Sequence, residues 1–433
     1  MTLHRRNAAS VRNPLERLAS TGTSRRTFLA ALAAGGAATA LTGCSTSTEG
    51  GSGGDGLSFF SWDAQASMQP VLDLWAEQNP DVPIDFSQAP PVAEYIAALQ
   101  TRVLSGTAAD VFMIAAENKT NLIDGKAVAD LSGKPYMSGI NEFNAATYGR
   151  DGKPYGMSVA SWGAGIAYNR ELLGRVGADT VPETWDEFLA LCAELKAAGV
   201  APYIEAVTGP SLVVAGFLGA RNQAQGGTMD QKIFDGSSSF EEQWTEPLAQ
   251  WLRLWDEGYA TRDAVGITGE QGREEFAQAR AAMTVTGPWD VPTLRSSAPD
   301  LDFAIARIPA LAGGSTFLAG AAAPGYAVNS KSDKAELADR FLTFLASEEA
   351  IRAYHESTAS ITTTANFEPD VDPALEVVAE GVRAGDIYLP QIAWTRAEDK
   401  LNETGGAQAQ LLVQGSQSPQ GMAAEMDRTL ASA

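Results

Sequence analysis

Two pairs of side chains stand where this sequence could do chemistry. Trp62-Asp63 directly follows a short apolar run, Leu57-Ser58-Phe59-Phe60-Ser61, and Glu117-Asn118 directly follows another, Asp110 to Ala115. An indole offers a flat apolar face, an amide both donates and accepts, and a carboxylate accepts charge-assisted hydrogen bonds. Two carboxylates about 5–9.5 Å apart would also suffice for glycoside hydrolysis. The remaining inventory is thin, with two histidines and two cysteines in the chain. His355, beside Glu356 and just past an amphipathic stripe, reads as a surface or packing residue. Cys192 falls in the stripe Trp185, Phe188, Leu189, Cys192, Leu195 and reads as a core thiol. The chain lacks metal-ligand spacing, a genuine phosphate loop and a Ser-His-Asp context, so neither a metal nor a cofactor is expected.

The elements that must position these pairs follow from the apolar periodicity. Leu57–Ser61 reads as a buried strand, and Ser67–Gln78 as a helix with Pro70 in its first turn and Val71, Leu74 and Trp75 on one face. Val82–Ser87 is a second strand. Tyr95, Ile96, Leu99, Val103 and Leu104 make a helical stripe, and Asp110–Ala115 is a third strand. Strand, helix, strand, helix, strand predicts a parallel α/β sheet. Ligands of such sheets sit beyond the carboxyl ends of the strands. Trp62, Asp63, Glu117 and Asn118 therefore share one rim. A second α/β region begins near residue 160. Thr184-Trp185-Asp186-Glu187 reads as a capping box, and Phe240, Trp244, Leu248, Trp251, Leu252 and Trp255 recur at helical spacing as core. Leu337, Phe341, Phe344, Leu345 and Ile351 mark another amphipathic helix.

Size and charge narrow the possibilities. The chain has 433 residues, 53 acidic against 31 basic, for a formal charge of −22. Its first 43 residues hold six arginines and one glutamate, so the other 390 carry 52 acidic and 25 basic side chains, or −27. A body of that length exceeds the roughly 250–300 residues at which a single core stops growing, which predicts two lobes. At −27 it would be repelled by phosphate backbones, which argues against nucleic acid.

The amino-terminal segment is organised differently. Ser24-Arg25-Arg26-Thr27-Phe28-Leu29 precedes an apolar run to Leu41 that is short of the ~20 residues a membrane span needs. This order of charge, apolar run and small residues describes an export signal, and the paired arginines resemble a twin-arginine signal. Leu41-Thr42-Gly43-Cys44 resembles a bacterial lipobox, which makes Cys44 the lipidated amino terminus of the mature protein. Residues 1–43 are the expected signal. Residues 44–56, rich in Ser, Thr and Gly, are the expected tether. Gly50 to Gly54 and Gly51 to Gly56 fit the nucleophile-elbow and dinucleotide patterns by accident of composition, since the strand and helix that each motif requires are in the wrong order.

Several further segments carry a resemblance to one family. They are Asp151-Gly152-Lys153-Pro154-Tyr155-Gly156, leading through Trp162 to Tyr168-Asn169-Arg170-Glu171-Leu172-Leu173; Pro182 to Phe188; Ala281 to Trp289; and Gly320 to Ser330 ahead of Ala338 to Leu342. In this order and spacing they resemble the maltose-type, family 1 extracellular solute-binding proteins of ABC sugar importers, over about residues 57–430. The resemblance implies a two-lobed, Venus-flytrap periplasmic-binding fold of type II. Lobe 1 would take residues 57–160 plus 322–358, and lobe 2 residues 161–321 plus 361–433. The chain would cross near Ala160-Ser161, Ala321-Ala322 and Ser360 to Thr364, and binding would be hinge closure.

The same resemblance implies that the chain captures a sugar or oligosaccharide outside the cell and delivers it to ABC transporter permeases. It implies no enzyme activity, and a monomer held at the outer face of the plasma membrane by lipid on Cys44. It makes Trp289 the foremost stacking platform, puts Trp162 where the lobes meet, and sets Trp394 on a segment that lines the cleft in relatives. The expected ligand-binding set is thus Trp289, Trp162, Trp62, Asp63, Glu117, Asn118 and Trp394, with Gln65, Glu205, Asp290 and Arg396 as secondary candidates. Met157-Ser158 and Trp162 depart from many relatives, so their specificity does not transfer. Asp63 and Glu117 could instead cap helices. Two rival readings stay open: a lipid-anchored carbohydrate hydrolase, or the same fold binding a phosphorylated polyol or another anion, which would need convergent Arg or Lys.

Overall fold

A computed structural model describes residues 56–89, 92–209 and 211–432. The expected signal, Cys44 and the tether lie outside the described residues but for Gly56. Thirteen strands are described: β1 Leu57–Ser61, β2 Ile84–Gln88, β3 Val111–Ile114, β4 Gly149–Arg150, β5 Lys153–Pro154, β6 Ala160–Asn169, β7 Tyr203–Ile204, β8 Met283–Thr286, β9 Phe303–Ala306, β10 Leu318–Ala322, β11 Gly325–Val328, β12 Ile361–Thr362 and β13 Ile387–Tyr388. No helix among the described residues is long and apolar enough to cross a membrane.

The first lobe is built on a sheet of order β11-β3-β1-β2. β1 pairs in parallel with both β2 and β3, and β11 closes the other edge antiparallel to β3. Strands buried on both faces must be apolar throughout, and Val111, Phe112, Met113 and Ile114 are all 0–1 % exposed. β2 begins at Ile84, later than Val82. Pro83 has no N–H to give, and its carbonyl takes the Leu57 N–H instead, at 3.0 Å. The first helix starts at Gln65, two residues before the expected Ser67. Pro70 therefore falls in its second turn and forgoes one intrahelical bond. Met68, Val71 and Trp75 form its buried stripe.

The second lobe is built on β13-β10-β6-β8-β7, with β9 and β12 also pairing with β6. The ten-residue β6 is the spine of this sheet. Its first residues pair with β12 and β10, and its last with β8 and β9. Thr184 caps the helix Trp185–Ala197 through the Glu187 N–H, and Trp185, Phe188, Leu189, Cys192 and Leu195 are buried behind it. Cys192 is free and buried, and burial pushes its thiol pKa well up. Trp244, Trp251 and Trp255 are buried in the same core. The two lobes have separate cores: that of the first ends at Val159 and resumes at Ala322, and the second has two, both drawing on β6. Where they meet, Ser161 lies between Ala322 and Ile361, and the Ala323 N–H donates to the Ala160 carbonyl at 2.8 Å. His355 is buried, with its ring nitrogens facing the Ser360 and Asp370 carbonyls at 2.7 and 3.1 Å.

Candidate functional site

An open cleft of about 540 Å³ lies where the two sheets meet, walled by Trp62, Asp63, Glu117 and Tyr148 on one side and Trp162, Pro288, Trp289 and Leu389 on the other. Trp62 and Asp63 stand at the carboxyl end of β1, and Glu117 just past that of β3. Because β1 and β3 are parallel neighbours, both rims face the same way.

Neither acid caps a helix. The residue before the first helix is Ala64, and the helix that follows β3, Lys119–Asp124, is preceded by Asn118 and has no side-chain cap. The Asp63 backbone N–H is held by the Ser61 hydroxyl at 2.9 Å. Burial pushes the Asp63 carboxyl up to about 6, partly offset by the Ser61 hydroxyl. Burial likewise raises Glu117 above the usual carboxylate range. A carboxylate removed from water without a cationic partner is a ready acceptor for ligand hydroxyls.

The aromatic walls are set by backbone geometry. Trp62 stands edge-on to Tyr95 at 5.6 Å, and Trp162 edge-on to Trp289 at 5.6 Å. Trp289 sits on a single 3₁₀ turn, Pro288–Asp290, right after β8 and Gly287. Its indole folds back over Gly287 so closely that a Cβ there would meet ring carbons at 2.5 and 2.6 Å. Among the described residues it is the exposed tryptophan, at 48 %. A large apolar face left open beside a cleft is a binding surface more readily than a packing residue.

Two expected wall residues lie elsewhere. Trp394 is 0 % exposed and packs edge-on to Phe240 at 6.1 Å in the core of the second lobe. Asn118 is 6 % exposed, and its side-chain oxygen accepts from the Ala115 N–H at 2.9 Å, bracing the turn after β3. Among the secondary candidates, Arg396 donates to the Phe234 carbonyl at 2.9 Å, and Gln65 is exposed on the first helix. Glu205 is buried, with its oxygens taken by Ser211, Tyr203 and Trp251 at 2.7, 2.9 and 3.1 Å. The structure adds Tyr148, Tyr354, Ser357 and Thr358 to the cleft. Tyr148 is held by the Ala322 carbonyl at 3.0 Å across the sheet edge.

One end of the cleft is bridged. Lys119 donates to the Ile392 carbonyl, Thr120 to Glu398, and Asn121 to Asp399 at 3.3 Å. Glu398 is 3 % exposed, and burial pushes its carboxyl up to about 7 against the pull of Thr120 and Lys119.

This architecture agrees with the comparison to known proteins, since the family model of the bacterial extracellular solute-binding protein matches residues 73–379. The chain belongs to that family. Among relatives of the solute-binding protein, the Multiple sugar-binding protein of Streptococcus mutans is 24% identical over 310 residues, 69% of this chain and 72% of that one. A family 1 extracellular solute-binding protein from Bifidobacterium longum subsp. infantis superposes with a TM-score of 0.75 at 29% identity, covering 88% of this chain and all of that one. The GacH receptor of Streptomyces glaucescens, solved unliganded and with acarbose, gives 0.68 at 19% identity over 87% of this chain and 97% of its own. At that identity the likeness speaks for the two-lobed fold alone.

Proposed function

We propose that this solute-binding protein captures a neutral sugar or oligosaccharide outside the cell and passes it to the permeases of an ABC importer by closing its two lobes. The observation that carries the reading is the composition of the cleft. Trp62, Trp162 and Trp289 offer aromatic faces, Asp63 and Glu117 are half-buried acceptors, and none of the described lining residues is Lys, Arg or His. Ring C–H faces pack on aromatic faces while hydroxyls seek charged acceptors. A phosphorylated polyol or other anion would meet two uncompensated carboxylates, which disfavours that rival. The name of one relative, the Multiple sugar-binding protein, points the same way.

The hinge belongs to the proposal: lobe 1 as residues 57–160 plus 322–358, lobe 2 as 161–321 plus 361–433, turning where β6, β10 and β12 lie side by side. The separate cores on either side of that seam support it. The anchor is a further part of the proposal: Cys44 carries lipid and residues 45–56 tether the body. Two acyl chains suffice for stable anchoring where one is marginal. Cys44→Ala should move the protein from the membrane fraction to the soluble fraction, and retention at the membrane would refute the lipobox.

The protein binds its sugar without turning it over. Oligosaccharides incubated with it and recovered by chromatography should return intact, whereas shortened products would favour the hydrolase.

A further inference from the structure

Trp289 borders two concavities. One is the cleft between the lobes, of about 540 Å³; the other is a recess of about 400 Å³ on the second lobe, and both fall in the size range of small-molecule sites. The recess has a different chemistry. Thr208, Arg273, Thr286 and Asp290 line it beside the indole. Arg273 lies on the helix Gly269–Ala277, and its guanidinium donates to Asp290 at 2.8 Å and stands 3.9 Å from Glu270. Asp290 also accepts from the Thr286 hydroxyl. One cation thus faces two carboxylates, a balance that repels anions. It still presents fixed donors and acceptors side by side, as vicinal hydroxyls require.

We infer that Trp289 is a partition and not an end wall, and that the polar recess behind it takes a further ring of the same neutral ligand, so the protein selects oligosaccharides over single sugars. This rests on the sugar-capture reading. One ring packs on the cleft side of the indole with Trp162. The chain of the ligand then passes the exposed indole, and the next ring places its hydroxyls on Arg273, Asp290 and Thr208. Asp290 follows Trp289 directly, so the ion pair with Arg273 also holds the partition in place.

Calorimetric titration of the protein with three length series tests this: glucose, maltose and maltotriose; galactose, melibiose and raffinose; xylose, xylobiose and xylotriose. In the series that binds, affinity should rise about tenfold or more with the unit that enters the recess. Thr208→Phe, at an exposed position, fills the recess and should bring the long-to-short affinity ratio down to about one. Arg273→Gln should lower that ratio as well. Equal affinity across lengths, or a ratio unmoved in Thr208→Phe, would overturn the inference and leave sugar capture standing. An equal loss at every length in Arg273→Gln would show that Arg273 only braces Trp289, and would also overturn it. Binding of no saccharide in any series would overturn both readings together.

Discussion

A carboxyl held at about 6 by burial, with no cation beside it, is costly to the free protein, and at Asp63 that cost has a sign that can be measured. The ordinary value is 3.8. A carboxyl raised in the fold contributes its stability fully below the ordinary value and loses it as pH rises through about 6. Asp63→Asn should therefore be more stable than the native protein at pH 7.5, by up to about 3 kcal/mol, and by only about 0.5 kcal/mol at pH 4. Urea denaturation at the two pH values reads this, and an equal effect at both would refute it. The same substitution replaces a charged acceptor by a neutral one, so sugar affinity should fall about tenfold or more. In the native protein affinity should weaken from pH 7 to pH 5 as Asp63 takes up its proton. In the variant that dependence should shrink. Instability tolerated where function needs it is a common feature of binding sites.

At the scale of elements, β6 matters most, because it is paired with four other strands and carries Trp162 between Ser161 and Gly163. β10 approaches it so closely that a Cβ on Gly320 would stand 2.3 Å from the Trp162 carbonyl oxygen. Gly320→Ala must push the strands apart, and a loss of about 2–4 kcal/mol in urea denaturation is expected. An unchanged midpoint would mean that the seam is softer than its packing suggests. This close approach joins segments far apart in sequence, and such contacts are what the sequence conceals. Much of the secondary structure was legible, since apolar runs such as Val111–Ile114 declare themselves locally, as does the face of Val71 and Trp75, although the buried stripe takes Met68 where the periodicity pointed to Leu74. Trp62, Asp63 and Glu117 could be set on one rim because parallel order alone dictates it. Trp394 could not be placed, because its burial depends on Phe240, more than 150 residues earlier. Asn118 looked like part of the rim, but its side chain turns back to the Ala115 N–H, a local bond as open to Asn as a ligand would be. Tyr148 and Tyr354 reach the cleft from segments with no motif of their own.

At the scale of the molecule, the core of the first lobe meets those of the second at one seam, and a bridge from Lys119, Thr120 and Asn121 to Ile392, Glu398 and Asp399 spans one end of the cleft; the proposed closure would bring the walls together over what lies between them. Ligand that touches both walls binds the shut form better and shifts the population toward it. The −27 body keeps such a protein dispersed and unattractive to phosphate, while affinity for a neutral sugar should be indifferent to salt. Sugar capture as proposed requires that Trp289 receive a sugar. Calorimetric titration of the native protein and Trp289→Ala with neutral saccharides addresses it most directly. At least one saccharide should bind the native protein, and Trp289→Ala should lose about 30-fold or more of that affinity while unfolding at the same temperature. Binding of no saccharide, or unchanged affinity in Trp289→Ala, would contradict the account.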